Sequence, residues 1–184
     1  MGKQLGEMTQ ARKDAEAQQR PLLEVINPQM TSYDARGIWI KKGERGVAGW
    51  LVSPGWKNVG LSPAQHVRMG FDLKPYPENG PQSVEQLIKL CPPGPSLSDH
   101  PEFSGSTIAP GESNGRIFPA KEMPLVGALA AQRNQAVIIF VIDATYQDAF
   151  KDSPLHHSYA CVGIFVNDPK KSAFSFVNLK QEGD

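Results

Sequence analysis

The chain has 184 residues with 40% hydrophobic and 21% charged side chains, a composition that folds and is long enough to bury a core. Formal charge is zero, which excludes a general nucleic-acid coat, so no DNA or RNA partner is expected. Sixteen prolines and seventeen glycines favour short strands and turns over a helical bundle.

The first segment, residues 3–20, is rich in helix formers, and Pro21 stops it. Leu5, Met8, Arg12, Ala15, Gln19 and Leu22 follow the alternating spacing of a coiled-coil seam. Half of that seam is polar or small, so a solvated helical stalk over residues 1–20 is expected rather than a self-sufficient coiled coil. From Pro21 onward the pattern is β. Leu22–Ile26 reads as a short strand. Gly37–Lys42 and Val47–Val52 flank Gly43-Glu44-Arg45-Gly46, which predicts a hairpin between them. Residues 66–74 alternate, with Val67, Met69, Phe71 and Leu73 facing one way.

The middle is loop-rich. Gln82–Leu90 predicts a short helix capped by Ser83 and closed by Pro92 and Pro93. Ala136–Ala144 is apolar on both faces, as a central strand requires. Tyr159–Val166 and Ala173–Leu179 complete about eight strands, which point to an antiparallel β-sandwich over residues 21–184.

Charge is unevenly spread. Residues 28–74 carry Arg36, Lys41, Lys42, Arg45, Lys57, Arg68 and Lys74 against three acids, and residues 75–115 carry Lys89 against five. Trp39, Trp50 and Trp56 fall in the basic half. Stacking on Trp39 and Trp56, with phosphates on Lys41, Lys42, Arg45, Lys57 and Arg68, is the ligand site this mixture suggests. Core tryptophans with lysines guarding edge strands explain the same residues without a ligand.

Asp148, His156, His157 and Cys161 have metal-ligand chemistry at poor spacing. The two adjacent histidines point to opposite faces of a strand, so no metal or other cofactor is expected. An Asp–His–Ser network pinning a hairpin suits them better. No nucleophile elbow, phosphate-cradling loop or activated cysteine occurs, so the chain is not expected to be an enzyme. Cys91 and Cys161 allow one disulfide, though nothing in the sequence requires an oxidising compartment.

Two segments carry a family resemblance. Asn58-Val59-Gly60-Leu61-Ser62-Pro63-Ala64-Gln65-His66-Val67 resembles an N-x-G-x-T/S-P-A-x-x-V pattern. Tyr146-Gln147-Asp148-Ala149-Phe150 with His156-His157-Ser158-Tyr159-Ala160-Cys161 is similar to Y-x-D-x-F-G-x-x-H-x-T-x-F-C. Gln19-Arg20-Pro21 and Ala109-Pro110-Gly111-Glu112 match more weakly. The patterns belong to bacterial membrane proteins with one or two N-terminal transmembrane helices, a polar linker and a C-terminal immunoglobulin-like β-domain. Here Lys151 follows Phe150 in place of glycine, and two extra residues precede His156. Ser158 replaces threonine and Ala160 an aromatic residue, so the hairpin tip is remodelled.

The resemblance implies an immunoglobulin-like sandwich behind an inner-membrane anchor lying just before residue 3. Lys3, Arg12, Lys13 and Arg20 beside that anchor place the domain in the cytoplasm by the positive-inside rule. It also implies a two-helix, β-rich effector of anti-phage defence whose domain senses a cyclic nucleotide. The other reading is a protein-interaction module, self-assembling into a homo-oligomer through the Leu5–Leu22 seam, with no small-molecule ligand.

Overall fold

The computed structural model describes residues 2–41, 45–75, 83–93, 106–113, 120–133, 137–150, 153–169 and 173–183. A helix, α1 (Gly2–Gln18), precedes β1 (Leu23–Asp34), β2 (Trp39–Ile40), β3 (Val47–Asn58) and β4 (Ala64–Pro75). Then follow α2 (Val84–Lys89), β5 (Ser106–Ile108), β6 (Lys121–Pro124), α3 (Leu125–Arg133), β7 (Val137–Gln147), β8 (His156–Asp168) and β9 (Ala173–Gly183). The described fold is mainly β, in two antiparallel sheets of order β2-β1-β3-β6 and β5-β4-β7-β8-β9. Among the described residues no helix is long and apolar enough to cross a membrane.

One core lies between the sheets. Trp50, Val52 and Trp56 from β3 meet Phe71 from β4, Phe140 and Ile142 from β7, and Val162 and Ile164 from β8. Trp50 and Phe174 pack edge to face at 5.0 Å. A second apolar cluster covers the outer face of the five-stranded sheet. There Leu87 of α2 lies with Val137, Ile139 and Val141 of β7, Tyr159 and Cys161 of β8, and Leu179 of β9. This is why β7 is apolar on both faces. A disulfide between Cys91 and Cys161, with Cα atoms 6.0 Å apart, ties the end of α2 to that face. The Tyr159 hydroxyl donates to Pro92 O at 2.5 Å beside it.

Val67, Met69 and Phe71 are buried as their alternation predicts, and Leu73 packs against the core. Ser83 caps α2, its Oγ accepting from the Gln86 N–H at 3.3 Å. The hairpin expected between Gly37–Lys42 and Val47–Val52 does not form. β2 pairs with β1 instead, Tyr33 opposite Trp39, and β3 pairs along the other side of β1. The Asp34 carboxylate decides this. It accepts from the Arg36 and Ile38 N–H groups at 2.8 and 2.9 Å, while Gly37 takes φ +75°, closing a tight turn straight after β1. Residues 42–44 of the expected turn lie outside the described residues.

β1 and β3 also run further than their apolar cores suggest. The ladder breaks between Ile26 and Gln29, opposite the step from Gly55 to Ser53. Pro28 and Pro54 both fall in that break, where a missing N–H costs no ladder bond.

Candidate functional site

The four motif segments meet at one end of the sheets. The hub is Asn58, fully buried at the end of β3, where the chain leaves one sheet for the other. Its Oδ1 accepts from the Leu22 and Gly60 N–H groups at 3.3 and 3.0 Å. Its Nδ2 donates to Ser62 O and Ile108 O at 2.8 and 2.9 Å. One carboxamide thereby joins the start of β1, the β3–β4 corner and the end of β5. Main-chain bonds reinforce it. Val59 N–H donates to Leu22 O at 2.8 Å, and Asn58 N–H donates to Glu112 O at 3.0 Å. Gly60 has no room for a side chain, because a Cβ would lie 2.6 Å from Pro21 Cα and 2.5 Å from Leu22 N.

Next to this corner, β4 contains one residue too many. Ala64 and Val67 are both fully buried in the inter-sheet core, yet they are three positions apart in a structure with a two-residue period. The extra residue is absorbed as a bulge between Gln65 and Arg68, where the pairing to β7 slips. His66 accordingly sits at φ 50°, the left-handed conformation that a non-glycine residue rarely takes. The bulge sends Gln65 and the exposed His66 outward in succession.

Across the ladder, Gln65 lies opposite Gln147, the last residue of β7. Beyond it the chain turns through Asp148 and Phe150. Gln65, His66, Gln147, Asp148, Ala149, Phe150 and Ser153 line a cleft of about 430 Å³. Residues 151 and 152 of the turn lie outside the described residues.

Asp148 orders the turn after β7. Its Oδ1 accepts from the Phe150 N–H at 3.0 Å. His156 Nε2 stands 3.5 Å from Asp148 Oδ2, an electrostatic contact outside good hydrogen-bond geometry. Burial by itself raises the Asp148 pKa. Interactions with Ser153, the Phe150 N–H and His156 outweigh it and hold the carboxyl below its ordinary range. His156 is buried and stacks obliquely on Tyr146 at 5.4 Å. Ser158 turns to Tyr146 as well, its Oγ 3.5 Å from the phenol oxygen. The neighbouring His157 points to the other face and pairs with Asp143, so the two histidines part as the strand period requires. Among the described residues no group of three or more acid, histidine or cysteine side chains is placed to hold a metal.

The residues expected to bind a ligand occupy different places. Trp39 is 68% exposed on β2, with Lys41 and Arg45 exposed in the same stretch, and Lys42 lies outside the described residues. Trp56 is fully buried between the sheets, where no base can stack on it without unpacking the core. Lys57 pairs with Glu24, and Trp39 with Tyr33, nine positions further along β1, which is about 30 Å. Arg68 is exposed on β4 in the other sheet. Of the described members of that set, Trp39, Lys41 and Arg45 share one stretch, and Trp56, Lys57 and Arg68 lie elsewhere. The cleft residues Gln65, His66, Gln147 and Phe150 lie within the motif segments but outside the expected set of ligand contacts. The signal for them is Ala64 and Val67, two apolar residues at odd spacing.

Comparison with protein-family models, with curated proteins and with solved structures finds no match to this chain.

Proposed function

We propose that this chain is a ligand-recognition domain, binding rather than catalytic, that uses the cleft beside the Asn58 corner. The observation that carries the reading is the meeting of the four motif segments at one end, with the cleft between two of them. A left-handed residue held at a bulge is a cost that structures keep where a function uses it. In this reading the sandwich is immunoglobulin-like and α1 is the linker to an inner-membrane anchor.

The cyclic-nucleotide version of the sensor draws less support. Among the described residues its ligand contacts would fall to Trp39, Lys41 and Arg45, since Trp56 is in the core, Lys57 is far along the sheet and Arg68 is in the other sheet. The Cys91–Cys161 bridge also supports the oxidising side of the membrane for this domain, against the cytoplasmic side implied by Lys3, Arg12, Lys13 and Arg20. Alkylation of the two thiols in intact cells tests that choice: protected cysteines place the domain outside the cytoplasm, and free thiols place it inside.

Recognition itself is tested by thermal unfolding against mixed panels of saccharides, short peptides and cyclic nucleotides. A ligand at one hundred times its dissociation constant stabilises by about 2.7 kcal/mol, a shift of several degrees. Loss of that shift in a His66→Ala/Gln147→Ala double variant supports the cleft. No shift with any panel, or a shift indifferent to the double variant, refutes it.

A further inference from the structure

We infer that the outer edge of β9 pairs with β9 of a second copy of this chain, joining two five-stranded sheets across a two-fold axis. No β9 residue is among the described residues lining the cleft, so the inference stands apart from the recognition reading. The other edges of the two sheets are blunted. β2 has two residues, β5 has three, and β6 has four and ends in Pro124. β9 runs for eleven residues without a proline and has β8 as its one neighbour among the described residues. Only Leu179 of β9 is buried, while Phe174, Phe176 and Val177 are half-buried. An edge of that length presents a row of main-chain donors and acceptors that another strand can take up.

An extra residue in β9 selects the occupant. Cys161 pairs with Lys180 and Val162 with Asn178, so Leu179 is one residue more than β8 has there. The step exchanges the faces of β9 part-way along. Phe174, Phe176 and Asn178 stand opposite Val166, Ile164 and Val162 on the inter-sheet side, and beyond Leu179 that side passes to Gln181 and Gly183. Ser175 and Val177 share the outer side with Lys180 and Glu182. A regular strand laid along this edge must slip at Leu179, as β8 does. An antiparallel copy of β9 carries the same step at the same place and needs no slip. With the axis between Asn178 and Leu179, Phe174 meets the second copy's Gly183 and Phe176 meets its Gln181, all on the inter-sheet side. Ser175 meets the second copy's Glu182 and Val177 its Lys180, all on the outer side. Lys180 is held 2.9 Å from Glu182 of its own strand, so the two lysines beside the axis do not meet as bare charges.

The experiment is sedimentation velocity of the whole chain from low to high micromolar concentration. A single pair of strands is a small interface, so the expected result is a reversible monomer–dimer equilibrium in the micromolar range. Substitution of Ser175 reads the register. The residue is exposed, so its replacement leaves the fold intact, and circular dichroism of each variant verifies that directly. Ser175→Glu sets a carboxylate opposite Glu182 twice per dimer and is expected to weaken association about tenfold. Ser175→Lys sets an ammonium there and is expected to tighten it a few-fold. Both variants lose the same hydrogen bond from Asn167 Nδ2, so opposite effects isolate the charge. A chain that stays monomeric at every concentration overturns the second copy as occupant and leaves the edge to another protein's strand. A dimer that the two variants change alike, or not at all, overturns the inference too. A dimer broken by Met8→Lys and indifferent to both Ser175 variants forms through the exposed seam of α1 instead, which overturns it as well.

Discussion

Opening the Cys91–Cys161 bridge tests how the outer face of the five-stranded sheet is held. The two cysteines are 70 positions apart, and the loop they close contains β5, β6, α3, β7 and the start of β8. Closing a loop of that length in the unfolded chain is worth about 4 kcal/mol at 25 °C in the chain-entropy model. For a protein of this size the loss corresponds to a fall in Tm of roughly 8–16 °C. Reduction with the thiols left in place is the cleaner perturbation. A Cys161→Ala change would add a cavity, since that side chain is fully buried against Leu87 and Tyr159. Thermal and urea unfolding followed by circular dichroism, with and without dithiothreitol, give the magnitude. Amide hydrogen exchange gives the place: α2 should lose protection first, because its own packing on the sheet rests mainly on Leu87. A fall of less than about 3 °C, or α2 amides as protected after reduction as before, would refute the argument that the bridge pins α2.

Other consequences follow from the corner and the bulge. Asn58→Ala leaves two N–H groups and two carbonyls of a buried corner without their partner, and should cost about 3 kcal/mol in urea unfolding. Gly60→Ala places a Cβ against the backbone of Pro21 and Leu22, and should cost about 1–3 kcal/mol by the same measurement. Burial, then the nearby carboxylates Glu182 and Asp143, push the Tyr159 phenol up to about 12. Its folded pKa exceeds the unfolded one, so its contribution is complete below about pH 10 and is lost as the pH rises through about 12. Absorbance of the phenolate against pH should show Tyr159 titrating late, and loss of that late step only in a Tyr159→Phe variant assigns it; an ordinary titration of Tyr159 would contradict the burial of its phenol.

The elements legible in the sequence are those whose local pattern agrees with their tertiary setting. β4 alternates because one face is wet, and residues 137–142 of β7 are apolar on both faces because α2 and the opposite sheet cover both sides. Ser83 caps α2 as its position before the helix predicts. Pattern fails where a side chain, rather than a period, decides the path. The Asp34 turn is one such place, since a single carboxylate accepting two main-chain bonds redirects β2 to β1. The paired prolines 28 and 54 are another. Each reads alone as a strand end, and only the opposing break makes both tolerable.

Trp56, Lys57 and Arg68 lie away from Trp39 for a reason of the same kind. Closeness in sequence is not closeness in space, because an antiparallel pair of twelve-residue strands carries residues 39 and 57 to opposite ends of one sheet. The same geometry brings together segments around residues 20, 60, 110 and 147, none of which is near another along the chain. By their glycines, prolines and Asn58 those segments read as structural punctuation, and the Asn58 and Gly60 contacts agree with that. What the punctuation achieves is the fixed placement of the segments that line the cleft, and the bulge at His66 determines which β4 side chains reach it.

A site built this way makes the extra residue separable from the fold. The bulge gives β4 three steps for every two on its partners, from Gln65 to Arg68 against β7 and from Ala64 to Val67 against β5. Deleting His66 therefore lets β4 pair regularly on both sides while Ala64 and Val67 still face the core. The deletion should keep core packing and lose ligand binding, because the second outward side chain and its left-handed hinge are gone together. His66→Ala keeps the extra residue and removes the imidazole alone, so it should weaken binding less than the deletion does. Near-ultraviolet circular dichroism reads the packing around Trp50 and Trp56, and ligand titration reads the cleft. A deletion variant that loses its near-ultraviolet signal would show that the bulge is needed to turn the Asn58 corner. The left-handed residue would then be a structural necessity, and its strain would no longer argue for a function.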